Sequence, residues 1–140
     1  MILLDTNVVS EMMRQMPAAP VMAYLRSRRD SDFFLPSLVI AEIRYGIAKL
    51  LAGHRRSSLQ AEFEAVLGRG FEGRIVAFDA ACAAGYGQAR AARERIGRPV
   101  PPMDGLIGGM ALAHGATLAT RNVADFDGYG LALVDPWDAA

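Results

Sequence analysis

Five short apolar runs, set apart by segments of helical periodicity, constrain this chain more than any other feature. Ile2–Leu4, Phe33–Leu35, Ile75–Phe78, Thr117–Ala119 and Ala132–Val134 read as strands. The segments between them read as helices: Val8–Met13, Val21–Arg28, a long one from Ser37 to about Leu51, Ser57–Leu67, one from Asp79 to about Ile96, and Met103–His114. In the long helix Val39, Ile43, Ile47 and Leu50 form one stripe. Ser37 and Asp79 are the expected N-caps, and Gly53 with His54 the expected stop of the long helix. Strands that alternate with helices imply a parallel sheet covered on both faces. The expected class is therefore α/β: three layers, α/β/α, Rossmannoid in kind, around a central parallel sheet. The helices ending at Leu51 and Leu67 should pair as a protruding α-hairpin beside it.

Size and charge narrow the function. At 140 residues the chain reads as one domain spanning 1–140, long enough to bury a real core. With 52% hydrophobic residues, disorder is excluded as a class. The formal net charge is zero, so a polyanion would have to be held by a local patch or through a metal. Cys82 is the sole cysteine and lies among alanines with no basic neighbour, so it reads as a buried, inert thiol. The start of the chain has no basic segment of the signal-peptide kind. The longest uncharged stretch, Gly105 to Thr120, contains His114 and falls short of the ~20 apolar residues of a spanning helix. A soluble, cytoplasmic protein is the expectation.

The chemistry lies in the acids. Asp5 directly follows the first apolar run. A carboxylate there stands at the C-terminal end of a central strand, where open α/β sheets bind ligands. Glu42 and Asp104 lie within apolar helical patterns. Each acid also has an ordinary reading. Asp5 could cap the next helix, although Thr6 and Asn7 could cap it equally well. Glu42 could be solvated, although it borders the stripe through Val39. Asp104 could be a first-turn acid favoured by the helix dipole. Convergence would change their meaning. Two carboxylates ~4 Å apart repel by about 4 kcal/mol at an effective dielectric near 20. A chain that gathers three must protonate one or bind a cation. All-oxygen ligation by few protein groups suits Mg²⁺ or Mn²⁺.

Gly105, Gly109 and Ala113 recur every four residues and predict tight packing of the last long helix on the sheet, which would carry Asp104 toward Asp5. Thr120-Arg121-Asn122 follows a late strand. Thr120 and Asn122 stand at its C-terminal edge and are preferred for the site, with Asp125 the weaker candidate. Arg121 neighbours that site and is a phosphate-contact candidate. Arg90, Arg93, Arg95 and Arg98 read instead as a solvated face, as do Arg26, Arg28 and Arg29. Neither His54 nor His114 has a partner at ligand spacing, so no zinc site is expected. Gly68, Gly70 and Gly73 lack the Lys-Ser/Thr ending of a nucleotide loop.

Four pieces in order, Met1 through Glu11, Ala41 through Gly46, Met103 through Ile107, and Ala119 through Phe126, together resemble the PIN-domain ribonucleases. The nearest likeness is to toxins of VapC type and their FitB-like branch, whose end Pro136-Trp137 also resembles. The resemblance implies a metal-dependent endoribonuclease on a PIN-like fold. It implies Asp5, Glu42 and Asp104 as holders of Mg²⁺ or Mn²⁺, with Thr120 supporting them. The fourth acidic position of many relatives falls on Asn122, whose amide orients water but adds no charge. Partners implied are an RNA substrate, a second copy of the chain, and a small antitoxin of VapB or FitA type. DNA would be met only through the antitoxin, and no membrane is involved. Two other readings share some features. Aspartate-nucleophile phosphatases also place an Asp after a first strand, but their second Asp is Asn7 here. A PIN-like module weakened by Asn122 would bind RNA or a partner without cutting.

Overall fold

The computed structural model describes residues 1–138; residues 139 and 140, the end of the expected unit, lie outside it. Five parallel strands form one sheet in the order β3-β2-β1-β4-β5, with β1 Ile2–Leu4, β2 Phe33–Pro36, β3 Ile75–Val76, β4 Thr117–Ala119 and β5 Ala132–Val134. The central strand β1 is buried at every position, with Leu3 and Leu4 fully so. Successive strand side chains point to opposite faces. Burial of both Leu3 and Leu4 therefore means that both faces are covered, as the α/β expectation required.

Seven helices provide that cover: α1 Thr6–Met12, α2 Ala19–Arg26, α3 Ser37–Ala48, α4 His54–Ala65, α5 Ala80–Arg95, α6 Pro102–His114 and α7 Val123–Phe126, counted among the described residues. The expected stripe turns inward: Val39, Ile43 and Ile47 are buried and Leu50 is half-buried. Asp79 caps α5 by accepting from the Cys82 N–H at 3.0 Å. Cys82 itself is buried, and burial pushes its thiol up, which suits an inert core residue.

Several local expectations are corrected. Ser37 is the first residue of α3 rather than its cap, because its hydroxyl accepts from the Phe78 N–H across the sheet edge. Gly53 and His54 begin α4 rather than merely end α3. At φ 157° Gly53 turns the chain at once, so α3 and α4 pair as the expected hairpin through a short turn. Arg44 of α3 lies over the Phe63 ring of α4 at 5.2 Å and pairs with Glu64. The α4 helix runs on into a wider turn at Val66–Gly70, which takes in Gly68 and Gly70. Arg93 is not solvated. It is buried and donates to the carbonyls of Arg98, Ala124 and Asp127, tying α5 to the segments on either side of α6 and α7.

The small residues of α6 also act differently from expectation. Gly105 and Gly109 meet helix α5, not the sheet, and Ala113 is exposed. A methyl group on Gly109 would lie 2.5 Å from the Tyr86 backbone N, and one on Gly85 would lie 2.4 Å from the Gly109 carbonyl O. The two helices thus touch backbone to backbone. That contact fixes the height of α6 and of Asp104 in its first turn. Gly109→Ala should cost about 1–3 kcal/mol of stability by overpacking, read as a lower urea midpoint. An unchanged midpoint would show that the helices can part freely.

Candidate active site

The chain runs outward from β1 to β2 and β3, then returns to place β4 on the other side of β1. The order reverses between β1 and β4, and open α/β sheets bind ligands outside the carboxyl ends of strands at such a point. Register sets Leu4 beside Ala119, so the next residues, Asp5 and Thr120, face each other across the crevice. The Asp5 N–H donates to the Ala119 carbonyl at 2.9 Å and locks that register past the strand ends.

Asp5 serves two purposes. Its Oδ1 accepts from the Thr6 N–H at 2.8 Å and so caps α1. Its Oδ2 accepts from the Thr120 hydroxyl at 2.7 Å. Both Asp5 and Thr120 are buried. Burial raises the Asp5 carboxyl above its ordinary range, the Thr120 and Thr6 hydrogen bonds oppose that rise, and the charge of Glu42 adds to it.

Glu42 reaches the crevice from α3, where its Oε1 accepts from the Thr6 hydroxyl at 2.7 Å. Thr6 thus joins two acids, one through its backbone and one through its side chain. Asn7 ties the same corner together: its Nδ2 lies 3.4 Å from Asp5 Oδ2, and its Oδ1 accepts from the Arg121 N–H at 3.2 Å. Sequence reasoning treated Thr6 and Asn7 only as caps. Their position directly after a strand-end carboxylate was the signal that could have marked them.

Asp104 completes the cluster from the first turn of α6. Burial first, then the charges of Asp5, Asp125 and Glu42, push its carboxyl from 3.8 up to about 6. The structure therefore brings Asp5, Glu42, Asp104 and Thr120 together. Asn122 joins only through its backbone, whose N–H donates to Thr120 Oγ1 at 3.0 Å. Its side chain is exposed. Asp125, the weaker candidate, is the one whose charge acts on Asp104. Short helix α7 explains the exchange, because it turns residue 125 back toward α6. Tyr129 lies in the same field, and its buried hydroxyl has no hydrogen-bond partner among the described residues.

This donor set is all oxygen and rich in uncompensated negative charge, which fits a hard divalent cation. Among the described residues no group of three or more His, Cys, Asp or Glu side chains is placed so as to hold a metal ion by itself. An ion such as Mg²⁺ needs none, because it keeps several waters and uses one or two carboxylates together with substrate phosphates. A groove of about 870 Å³ opens between α1, α3 and α4; of the site residues Thr6 and Glu42 line it, and Asp5 and Asp104 do not.

The family model described as PIN domain matches residues 2–129. The chain belongs to the PIN-domain family. This PIN domain is similar over its whole length to characterised relatives. It is 39% identical to Toxin FitB of Neisseria gonorrhoeae, covering 98% of this chain and 99% of that protein. It is 34% identical to VapC ribonuclease Y4jK of Sinorhizobium fredii, covering 100% of both. Among solved structures it resembles FitAB bound to a DNA fragment, with a TM-score of 0.92 and 38% identity, covering 100% of this chain and 98% of that one.

The charge crowding has a direct consequence for stability. The Asp104 carboxyl is raised in the folded PIN domain, so its contribution to stability is full below its unfolded value of 3.8 and is lost as pH rises through about 6. Asp104→Asn removes the charge. Near neutral pH it should raise the melting temperature of the metal-free protein, with a gain that shrinks as pH falls from about 6 toward 4. A variant that melts below the parent near neutral pH would contradict this.

Proposed function

We propose that this PIN domain is a divalent-metal-dependent endoribonuclease that hydrolyses RNA phosphodiester bonds, and that it is the toxin of a type II toxin–antitoxin pair. The observation that carries this reading is the convergence of Asp5, Glu42 and Asp104, in which burial first and then the neighbouring charges raise the Asp104 carboxyl to about 6. The full-length likeness to a protein named a ribonuclease and to one named a toxin supports it.

Asp5 and Asp104 would hold Mg²⁺ or Mn²⁺, directly or through water, from the ends of β1 and α6. When bound, such an ion lowers the pKa of a water, polarises the phosphoryl group and stabilises the leaving oxygen. The protein's own share is orientation. The Thr120 hydroxyl fixes one Asp5 oxygen and the Thr6 N–H the other, which aims the remaining lone pairs into the crevice. Glu42, steadied by the Thr6 hydroxyl, would ligate the ion or position the attacking water. Asn122 orients water at the rim, and Asp125 supplies the further negative charge beside Asp104. Protons compete with the ion at Asp104, so metal affinity should weaken as pH falls below about 6.

The partners follow from the same reading. A second copy of the chain forms a homodimer, and a VapB- or FitA-type antitoxin neutralises it. DNA would be met only through that antitoxin, and a resembled structure is FitAB bound to a DNA fragment. Among the described residues no helix is long and apolar enough to cross a membrane, and a cytoplasmic site of action fits RNA as substrate.

Structured RNA incubated with the purified protein should be cut in Mn²⁺ and spared in chelator. Asp5→Asn keeps an acceptor for the helix cap, so it should abolish cutting while circular dichroism stays native. Thr120→Val should lower metal affinity or rate about 10–100-fold, as loss of a ligand's supporting hydrogen bond does. Cleavage that persists in chelator, or an active Asp5→Asn, would refute the reading.

A further inference from the structure

The acids leave one problem unsolved. RNA is a polyanion, and the crevice that must receive it is crowded with carboxylates. The chain offers no bulk charge to offset them, since its 15 basic residues are matched by 15 acidic ones. Some cation close to the crevice has to hold the backbone of the substrate.

We propose that Arg121, stacked on Trp137, is that contact: a phosphate clamp at the rim of the crevice on the β5 side. The inference rests on the nuclease reading and deepens it by naming a substrate-binding residue.

Three observations carry the proposal. First, Arg121 is fixed to the acids through its own backbone. The preceding Thr120 donates to Asp5 at 2.7 Å, and the Arg121 N–H donates to Asn7 at 3.2 Å. Second, its guanidinium lies 4.8 Å over the Trp137 ring. That ring is itself anchored. The Thr120 N–H donates to the Val134 carbonyl at 2.9 Å, pinning the end of β5, and the Trp137 N–H donates to Asp135 Oδ1 at 2.9 Å. Since β4 lies beside β1 and β5 beside β4, the stacked pair stands at the same carboxyl edge of the sheet as Asp5. Third, its charge is uncommitted. Arg14, Arg29, Arg44, Arg90 and Arg98 each pair with a carboxylate. Among the described residues Arg121 has no such partner, and its side chain is exposed.

A guanidinium held over an aromatic ring and paired with no carboxylate keeps donors available for a phosphate. That is the geometry that grips a phosphate through two parallel hydrogen bonds. The aromatic ring restrains the side chain without neutralising it, so little rotamer freedom is left to lose on binding. A contact of this kind reads the backbone and not the base, so it sets affinity and register rather than sequence.

The test is steady-state cleavage of a short fluorescein-labelled single-stranded RNA of mixed sequence, in Mn²⁺, across a series of salt concentrations. Fluorescence anisotropy of the same RNA is measured in parallel. Arg121→Gln should raise KM about tenfold or more with kcat within about twofold. The plot of log affinity against log salt should become shallower by about 0.7, the value of one phosphate contact on a single strand. Arg121→Lys should restore the slope without restoring KM, because the charge returns and the fork does not. Trp137→Leu should raise KM and leave the slope unchanged. An unaltered slope in Arg121→Gln, or a loss confined to kcat or melting temperature, overturns the clamp. Failure of the parent protein to cut RNA would overturn the nuclease reading instead, and the anisotropy slopes would still decide the clamp. Failure of the parent to bind this RNA at all would overturn both.

Discussion

Mutual repulsion of carboxylates in the crevice between β1 and β4 is the constraint from which the rest of this molecule is best understood. Asp5, Glu42 and Asp104 come from distant parts of the chain, and bringing them together opposes folding. The fold offsets that cost with dipoles. Asp5 caps α1, and Asp104 sits in the first turn of α6, so both face the positive ends of helices. The Thr120 hydroxyl and the Asn7 amide donate to Asp5, and the Thr6 hydroxyl donates to Glu42. Asp104 receives the least help and bears the largest burden, with its carboxyl pushed up to about 6. What remains uncompensated is the attraction that a divalent cation would feel.

Everything that holds the crevice lies further out. Parallel register places Asp5 opposite Thr120. The backbone contact between α5 and α6, possible because Gly85 and Gly109 lack side chains, fixes Asp104. Arg93 gathers carbonyls from the segments that flank Asp104 and Asp125, and its buried charge lies over the Tyr129 ring at 5.6 Å. Packing and chemistry are thus linked through the same few residues. The acidic site and the stacked Arg121 then divide the work on a nucleic acid: one part reacts with the backbone and the other holds it.

Much of this was legible in the chain. The strands β1, β4 and β5 are where the apolar runs put them, and β1 is continuous in hydrophobicity because it is buried throughout. Asp5, Glu42 and Asp104 stood out because an acid beside an apolar run requires a reason. What stayed hidden depended on partners far away in sequence. Ser37 looked like a cap until Phe78 claimed its hydroxyl. Arg93 looked solvated because nothing nearby in the chain revealed the carbonyls that surround it. The small face of α6 fitted a sheet as well as a helix, and only the position of Gly85 decides between them. Asp125 matters more to the site than expected because its charge acts on Asp104, and the four-residue helix that carries it is too short to leave a periodic signal.

The central claim is that Asp5, Glu42 and Asp104 share one cation. Anomalous scattering from crystals of the protein soaked in Mn²⁺ tests it most directly. The account predicts a peak in the crevice within ligand or one-water distance of both Asp5 and Asp104, with Glu42 beside it. Saturating Mn²⁺ that leaves this crevice without a peak, while the three carboxylates keep their places, would contradict it.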